Sequence, residues 1–172
     1  MQTTLPRRRH GDVHYYLNHH QPGSAAQQQN AQHWQTFNRA DPTLRPALLQ
    51  QAFKLTSPVF VEPAFFCQSP DNVHLGGSVF INHNTVLLGA QLLTLEEGVL
   101  VGPNCIIATA PITDHPVAEA PVRVDKNAWI GANVLILPGS HIGQDAIIGA
   151  GSVVSGPVPA GTTFYNAQVA GR

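Results

Sequence analysis

Charged side chains are scarce in this chain. Only 11% of its 172 residues are Asp, Glu, Lys or Arg, and the formal net charge is -1. The usual charged share is about 25%. A near-neutral surface creates no field that attracts nucleic acid from a distance, so a nucleic-acid partner is not expected. The low net charge and the 43% hydrophobic content predict one folded domain rather than disorder of the whole chain.

Long apolar runs and cysteines are scarce too. No run approaches the ~18 to 20 residues of a membrane helix, and no apolar segment follows the arginines at positions 7–9. We therefore expect a cytoplasmic protein without a membrane partner. Cys67 and Cys105 lie in apolar stretches without a C-x-x-C pairing, which predicts buried free thiols rather than a disulfide or a metal site.

Three regions differ in their residue pattern. Residues 1–30 are rich in Gln, Asn, His and Arg, which predicts a flexible or peripheral arm. Residues 31–57 carry apolar side chains at helical spacing, such as Trp34, Phe37, Leu49 and Phe53, and we expect a short helical segment there. Residues 58–172 lose the helical period.

A period of six residues replaces it. Glycine follows the aliphatic position at 131, 143, 149 and 161, and the fourth residue after it is mostly small. Two upstream sets, Leu75, Ile81, Leu87 and Leu95, Val101, Ile107, have the same spacing with a slip of two residues between them. The longest set is Val124, Ile130, Ile136, Ile142, Ile148, Val154 and Ala160.

A hexapeptide period of this kind is typical of a parallel β-helix. Each hexapeptide forms a short strand and a turn, the aliphatic residue points into a triangular prism, and glycine permits the tight corner. Stacked coils then build a core from aliphatic ladders and need little charged surface. An antiparallel sandwich would instead show a period of two.

The repeat is interrupted once, between Ile107 and Val124. Residues 109–122 (TAPITDHPVAEAPV) contain three prolines and no hexapeptide signature. We expect this segment to leave the prism as a loop. Loops on one face of a solenoid often form its binding site, so the sequence Asp114-His115-Pro116 makes this the candidate active-site loop.

Several motifs occur together with the repeat: Val61-Glu62-Pro63, Asn82-His83-Asn84, His115-Pro116, Trp129-Ile130-Gly131 and Gly149-Ala150-Gly151-Ser152-Val153-Val154. Over about residues 31–165 the chain resembles the galactoside and maltose O-acetyltransferases of the hexapeptide acyltransferase superfamily. The resemblance implies a left-handed parallel β-helix, a homotrimer, and acetyl-CoA bound as co-substrate in a groove between subunits. It also implies transfer of the acetyl group to a hydroxyl of a sugar or similar small molecule, without a metal.

The resemblance also assigns roles to residues. His115 matches the catalytic histidine, which would act as general base because a neutral imidazole can take the hydroxyl proton. Asn82 matches the acceptor-binding asparagine, although an asparagine stack at a β-helix corner would explain it too. The remaining matches concern the cofactor: the Ala132 backbone N–H near the thioester carbonyl, Trp129 beside the groove, and Gly149, Ala150, Gly151 and Ser152 along the pantetheine arm. Trp129 could equally serve packing.

The chain departs from the family pattern at three places. Relatives have an acidic, sugar-binding residue where this chain has Ala90, and their segment after the catalytic histidine is longer. Their C-terminal basic residue, which helps to hold the CoA phosphates, is missing, so Arg172, Lys126 or Arg123 would have to substitute.

Three other functions fit the sequence less well. One is an acetyltransferase that acts on serine or another small molecule. A zinc lyase of the gamma carbonic anhydrase type would need three convergent histidines from among His74, His83, His115 and His141. A trimeric β-helix without catalysis, serving as a binding module, is the third.

Overall fold

The computed structural model describes residues 24–112 and 118–165. Two helices, α1 (Ala25–Arg39) and α2 (Arg45–Phe53), precede the strands. Neither helix could cross a membrane, because neither is long and apolar enough. The strands are β1 (Phe60–Val61), β2 (Phe66–Cys67), β3 (Val73–Leu75), β4 (Phe80–Ile81), β5 (Val86–Leu88), β6 (Leu93–Leu95), β7 (Leu100–Val101), β8 (Ile106–Ala108), β9 (Val122–Val124), β10 (Trp129–Ile130), β11 (Leu135–Ile136), β12 (His141–Ile142), β13 (Ile147–Ile148), β14 (Val153–Val154), β15 (Pro157–Val158) and β16 (Thr163–Phe164).

Every third strand joins the same parallel sheet. Sheet A contains β1, β4, β7, β10, β13 and β16, sheet B contains β2, β5, β8, β11 and β14, and sheet C contains β3, β6, β9, β12 and β15. The chain therefore winds around a three-sided prism, and the predicted parallel β-helix is confirmed. We name the corners by the sheets that they join: edge AB, edge BC and edge CA.

The hexapeptide positions form the core. Val124, Ile130, Ile136, Ile142, Ile148 and Val154 are all at most 1% exposed. The upstream set continues the same columns, because Leu95 pairs with Val124, Val101 with Ile130 and Ile107 with Ile136. The slip of two residues upstream is absorbed by coils of twenty residues, in which Phe60 pairs with Phe80 and Phe80 with Leu100.

The final position of the predicted set is wrong. Ala160 is exposed, and Val158, which is 4% exposed, pairs with Ile142 inside the prism. The last coil turns early, at Gly156, whose φ of 91° belongs to the left-handed region. Glycine adopts this conformation without a steric penalty, so β15 follows β14 after a shorter corner.

The corner chemistry also differs from the prediction. Left-handed φ values of 57–59° occur three residues after the interior aliphatic position, for example at Asn104, Asn133 and Asp145. Asn and Asp tolerate this conformation better than most residues. Gly131, directly after Ile130, instead permits close stacking, because a Cβ there would lie 2.7 Å from the backbone nitrogen of Ala150.

The two helices cover the start of the prism. Trp34, Phe37 and Phe53 pack around Phe65, and the ring centroids of Trp34 and Phe65 are 5.0 Å apart. Asn38 donates to the carbonyl of Phe65 at 3.0 Å and accepts from its N–H at 2.9 Å. These bonds satisfy backbone groups next to β2, a terminal strand of its sheet, and thereby protect an open strand edge.

Helix α1 begins earlier than the predicted boundary at residue 31. Ser24 caps it: the Ser24 hydroxyl accepts from the Gln27 N–H, and the Gln27 side chain accepts from the Ser24 N–H. This reciprocal capping box starts the helix at Ala25. Asn30, also assigned to the arm, donates to the carbonyl of Cys67 at 2.8 Å. Residues 24–30 therefore belong to the folded domain, and the rest of the predicted arm lies outside the described residues.

Candidate active site

Edge AB collects most of the predicted site residues. Its corners stack through backbone hydrogen bonds: Asn104 N–H donates to His83, Asn133 N–H to Pro103, and Gly151 N–H to Ala132, at 2.8–2.9 Å. Asn82, Ala132, Gly149, Ala150 and Gly151, which are far apart in sequence, therefore lie along one edge of the prism.

Two coils on this edge present a free backbone N–H group at the same position. Within residues 24–112 and 118–165, the N–H groups of Ala132 and Ala150 donate to no carbonyl or side chain. They occupy equivalent positions on consecutive coils, which parallel strands place about 4.8 Å apart. The preceding coil has Pro103 at this position, which carries no N–H. Edge AB thus offers two adjacent donors to a ligand.

Trp129 lies beside the edge, and Ser152 lies in the corner with its side chain turned inward. Trp129 stands on the outer face of sheet A and is 53% exposed, although it is a large apolar side chain. Ser152 is 2% exposed and points into the prism. Its N–H donates to Gly149 and its carbonyl accepts from Leu135, so both of its backbone groups are already used.

Asn82 is not part of an asparagine stack. The stacked pair is Asn84 and Asn104, whose side chains are joined by a hydrogen bond of 3.0 Å. Asn82 is half-buried, and its side-chain oxygen contacts His83 instead. Corner stacking therefore explains Asn84 but not Asn82, and Asn82 remains a candidate for ligand binding.

The candidate active-site loop leaves from edge BC. Thr109 begins it and Ala120 lies near its end, where the Ala120 N–H donates to the Thr109 carbonyl at 3.1 Å. The buried Thr109 hydroxyl donates to the carbonyl of Leu88 at 3.2 Å and accepts from the N–H of Gln91. These contacts tie the base of the loop to the preceding coil. His115 lies outside the described residues.

Ala90 also lies at edge BC. It is exposed, and its carbonyl accepts from the Asn72 side chain at 2.7 Å. The position that carries an acid in the family pattern thus stands next to the base of the loop and offers no side-chain acceptor. Any further polar contact to the acceptor must come from another residue.

The two described candidates for a phosphate contact lie elsewhere. Arg123, on sheet C, forms ion pairs with Glu96 and Asp125, while Lys126, at edge CA, pairs with Glu97 at 3.2 Å. The hydrogen bond and charge of Asp125 raise the pKa of Arg123. Neither cation is on edge AB. Arg172 lies outside the described residues.

The three candidate histidines for zinc that lie among the described residues do not converge. His74 and His141 are on the outer face of sheet C, whereas His83 is at edge AB. His141 Nε2 lies 2.8 Å from Asp125. The part of the chain that the structure describes contains no group of three or more His, Cys, Asp or Glu side chains suited to a metal ion.

Both cysteines are buried and free, as predicted. Burial raises the pKa of Cys67 to about 12 and also raises that of Cys105. A thiol with a raised pKa is a poor nucleophile, because the thiolate is the reactive form. The cysteines therefore act as core residues.

The family model for bacterial transferase hexapeptides (six repeats) matches residues 121–156. A Saccharomyces cerevisiae protein named as an acetyltransferase is 31% identical over 137 residues, a match that covers 73% of this chain and 68% of that protein. The chain belongs to the hexapeptide-repeat acetyltransferase family.

Two further proteins, one compared by sequence and one by structure, are similar to this hexapeptide-repeat chain. It is 31% identical over 137 residues to the galactoside O-acetyltransferase of Escherichia coli K12, covering 72% of this chain and 66% of the enzyme. Its fold matches a hexapeptide-repeat-containing acetyltransferase of Vibrio cholerae in complex with acetyl-CoA, with a TM-score of 0.75 and 29% identity over 84% of this chain and 86% of that one. The chain spans about two thirds of the length of the two sequence relatives.

Proposed function

We propose that this chain transfers an acetyl group from acetyl-CoA to a hydroxyl of a sugar or similar small molecule. The observation that carries the proposal is edge AB, where Asn82 and two free backbone N–H groups line up on a fold shared with an acetyl-CoA complex. The similarity to a galactoside O-acetyltransferase supports a sugar as the acceptor.

The reaction divides among three groups. His115 takes the proton of the attacking hydroxyl, and the hydroxyl oxygen adds to the thioester carbonyl. The Ala132 N–H donates to the oxyanion of the tetrahedral intermediate, which then collapses and expels the CoA sulfur. The proton held by His115 returns to that sulfur, so the products are an acetyl ester and CoA thiol. Asn82 orients the acceptor.

Acetyl-CoA would lie along edge AB. The Ala150 N–H is the next free donor after Ala132, on the following coil, and suits an amide carbonyl of the pantetheine arm. Gly149 and Gly151 flank it, and Trp129 offers an exposed ring beside it. Ser152 contributes only through its place in the corner, since its side chain is buried.

We propose that the active unit is a homotrimer, because two of the three outer faces are apolar. In a closed ring of three, each subunit meets its two neighbours through two different surfaces, and the third face stays in water. Sheet C is the polar face, with His74, Thr94, Arg123, His141 and Pro157 pointing outward. The outward residues are Phe60, Phe80, Leu100, Trp129, Ile147 and, in the last strand, Thr163 on sheet A, and Phe66, Val86, Ile106, Leu135 and Val153 on sheet B.

The length of the loop supports a site shared between subunits. Ala132 at edge AB and Pro138 at edge BC belong to one coil, and the six residues between the edges span at most about 20 Å. His115 is five residues from Ala120, so a fully stretched loop reaches about 17 Å. A fully stretched loop would therefore barely cross sheet B of its own subunit, which favours a site completed by the loop of a neighbouring subunit.

A thiol-release assay with a panel of hydroxyl acceptors tests the function. We expect acetyl-CoA to raise the thermal stability of the protein, and His115→Ala to abolish transfer with this stabilisation retained. A His115→Ala variant that keeps turnover within about threefold of wild type would remove His115 from the mechanism. Stabilisation by acetyl-CoA without turnover for any acceptor would favour the non-catalytic binding module.

A further inference from the structure

The carboxamide oxygen of Asn82 is fully engaged by the next residue. It accepts from the backbone N–H of His83 at 2.8 Å and lies 2.8 Å from Nδ1 of the His83 ring. The backbone donor identifies this end of the carboxamide as the oxygen. Because a carbonyl oxygen can only accept, Nδ1 carries the proton in this contact, and Nε2 of the neutral ring keeps its lone pair.

Two complementary atoms are left for a ligand. Neither Nδ2 of Asn82 nor Nε2 of His83 has a hydrogen-bond partner within the described ranges 24–112 and 118–165. The first atom is a donor and the second an acceptor. Asn82 is half-buried and His83 is exposed, so the pair is held in place by the fold and open to solvent.

A donor and an acceptor side by side suit two neighbouring hydroxyl groups. One hydroxyl oxygen accepts from Nδ2 of Asn82, and the adjacent hydroxyl donates to Nε2 of His83. A molecule with one isolated hydroxyl can satisfy only one of these atoms. His83 thus supplies a hydrogen-bond acceptor at edge AB, beside the donor of Asn82.

We propose that Asn82 and His83 together bind a vicinal diol, so that the acceptor is a sugar or polyol with adjacent free hydroxyls. The proposal rests on the acetyl transfer inferred above and narrows its substrate class. His83 is in this view an acceptor-binding residue that the motif match did not assign. The contact with His83 also orients the carboxamide of Asn82, because it fixes Oδ1 and leaves Nδ2 free to donate to a ligand.

A cycle of protein and acceptor variants tests the proposal. The full-length protein is assayed with acetyl-CoA and either a methyl pyranoside or each of its monodeoxy analogues. His83→Phe keeps a ring and removes both nitrogens. We expect it to lower kcat/KM for the parent sugar by about 3- to 10-fold, the effect of one hydrogen bond. One monodeoxy analogue should already show that loss with wild type and lose nothing more with His83→Phe.

Control variants keep the outcome clear. His74→Phe makes the same replacement on the exposed face of sheet C and should leave kcat/KM unchanged. A stabilising shift with acetyl-CoA verifies that each variant is folded. If His83→Phe lowers kcat/KM equally for the parent sugar and every analogue, or leaves it unchanged, the diol proposal is wrong. Failure of wild type to acetylate any hydroxyl compound would overturn the proposed function itself.

Discussion

Proline in place of Ala132 would remove one backbone N–H that the fold does not use. That N–H donates to nothing among the described residues, while the Ala132 carbonyl still accepts from Gly151 at 2.8 Å. One coil earlier, Pro103 occupies the equivalent position, after a glycine and before a left-handed asparagine. The chain therefore already accommodates proline at this corner, and we expect the variant to fold.

The kinetic effect should be large and should fall on kcat. Loss of one oxyanion donor lowers kcat by ~10²- to 10³-fold, or about 2.7–4 kcal/mol of transition-state stabilisation. The KM for acetyl-CoA should change little, because this hydrogen bond strengthens only as the oxyanion forms. Ala150→Pro is the matched control, since it removes the free N–H at the equivalent position of edge AB one coil later. It should raise KM about 3- to 10-fold and largely preserve kcat.

Steady-state kinetics of CoA release at saturating acceptor measure both variants. Circular dichroism and the shift in Tm with acetyl-CoA report folding and donor binding. If folded Ala132→Pro retains kcat within about threefold of wild type, the amide does not stabilise the transition state. If the two variants show the same pattern, the division of roles between Ala132 and Ala150 is incorrect.

Three further predictions concern the fold and its assembly. Asn38→Ala removes both side-chain bonds to Phe65 and should cost about 1–3 kcal/mol of unfolding free energy, measured by denaturation. Leu100→Arg places a charge on the apolar face of sheet A and should yield monomers in sedimentation, whereas Thr94→Arg on sheet C should leave the oligomer intact. Burial alone would raise the pKa of Asp125, but hydrogen bonds and charges from its neighbours outweigh it and lower that pKa below its ordinary value of 3.8. The resulting stability is present at neutral pH and is lost as the pH falls below about 4, so Asp125→Asn should flatten the acid limb of the stability curve.

Most of the fold could be predicted because its repeat is local. Each interior aliphatic residue follows the last after six residues, so Ile130, Ile136 and Ile142 could be placed in the core from spacing alone. The same regularity produced the error at Ala160, where a shorter corner shifted Val158 into the core. The Asn or Asp three residues after the aliphatic position was a readable corner signal that the prediction overlooked.

The start of the domain was harder to place. A run of Gln and Asn is typical of a mobile arm, yet Gln27 completes the capping box of α1 and Asn30 bonds to the carbonyl of Cys67. Only the second of these contacts spans more than a few residues in sequence. No local sequence pattern identifies a polar residue that bonds to the backbone of a distant strand, because the packing of the helix on the prism determines its partner.

The sequence by itself determined the parallel β-helix, its core columns and the position of the interrupting loop, because hexapeptide spacing encodes which side chains turn inward. Tertiary structure decided which residues share an edge. Stacking of coils brought Asn82, Ala132 and Ala150 together and left two of their backbone donors free, while it placed Arg123 and Lys126 on another side. The contact between Asn82 and His83 is local, but the conformation of the corner decides whether their polar atoms meet.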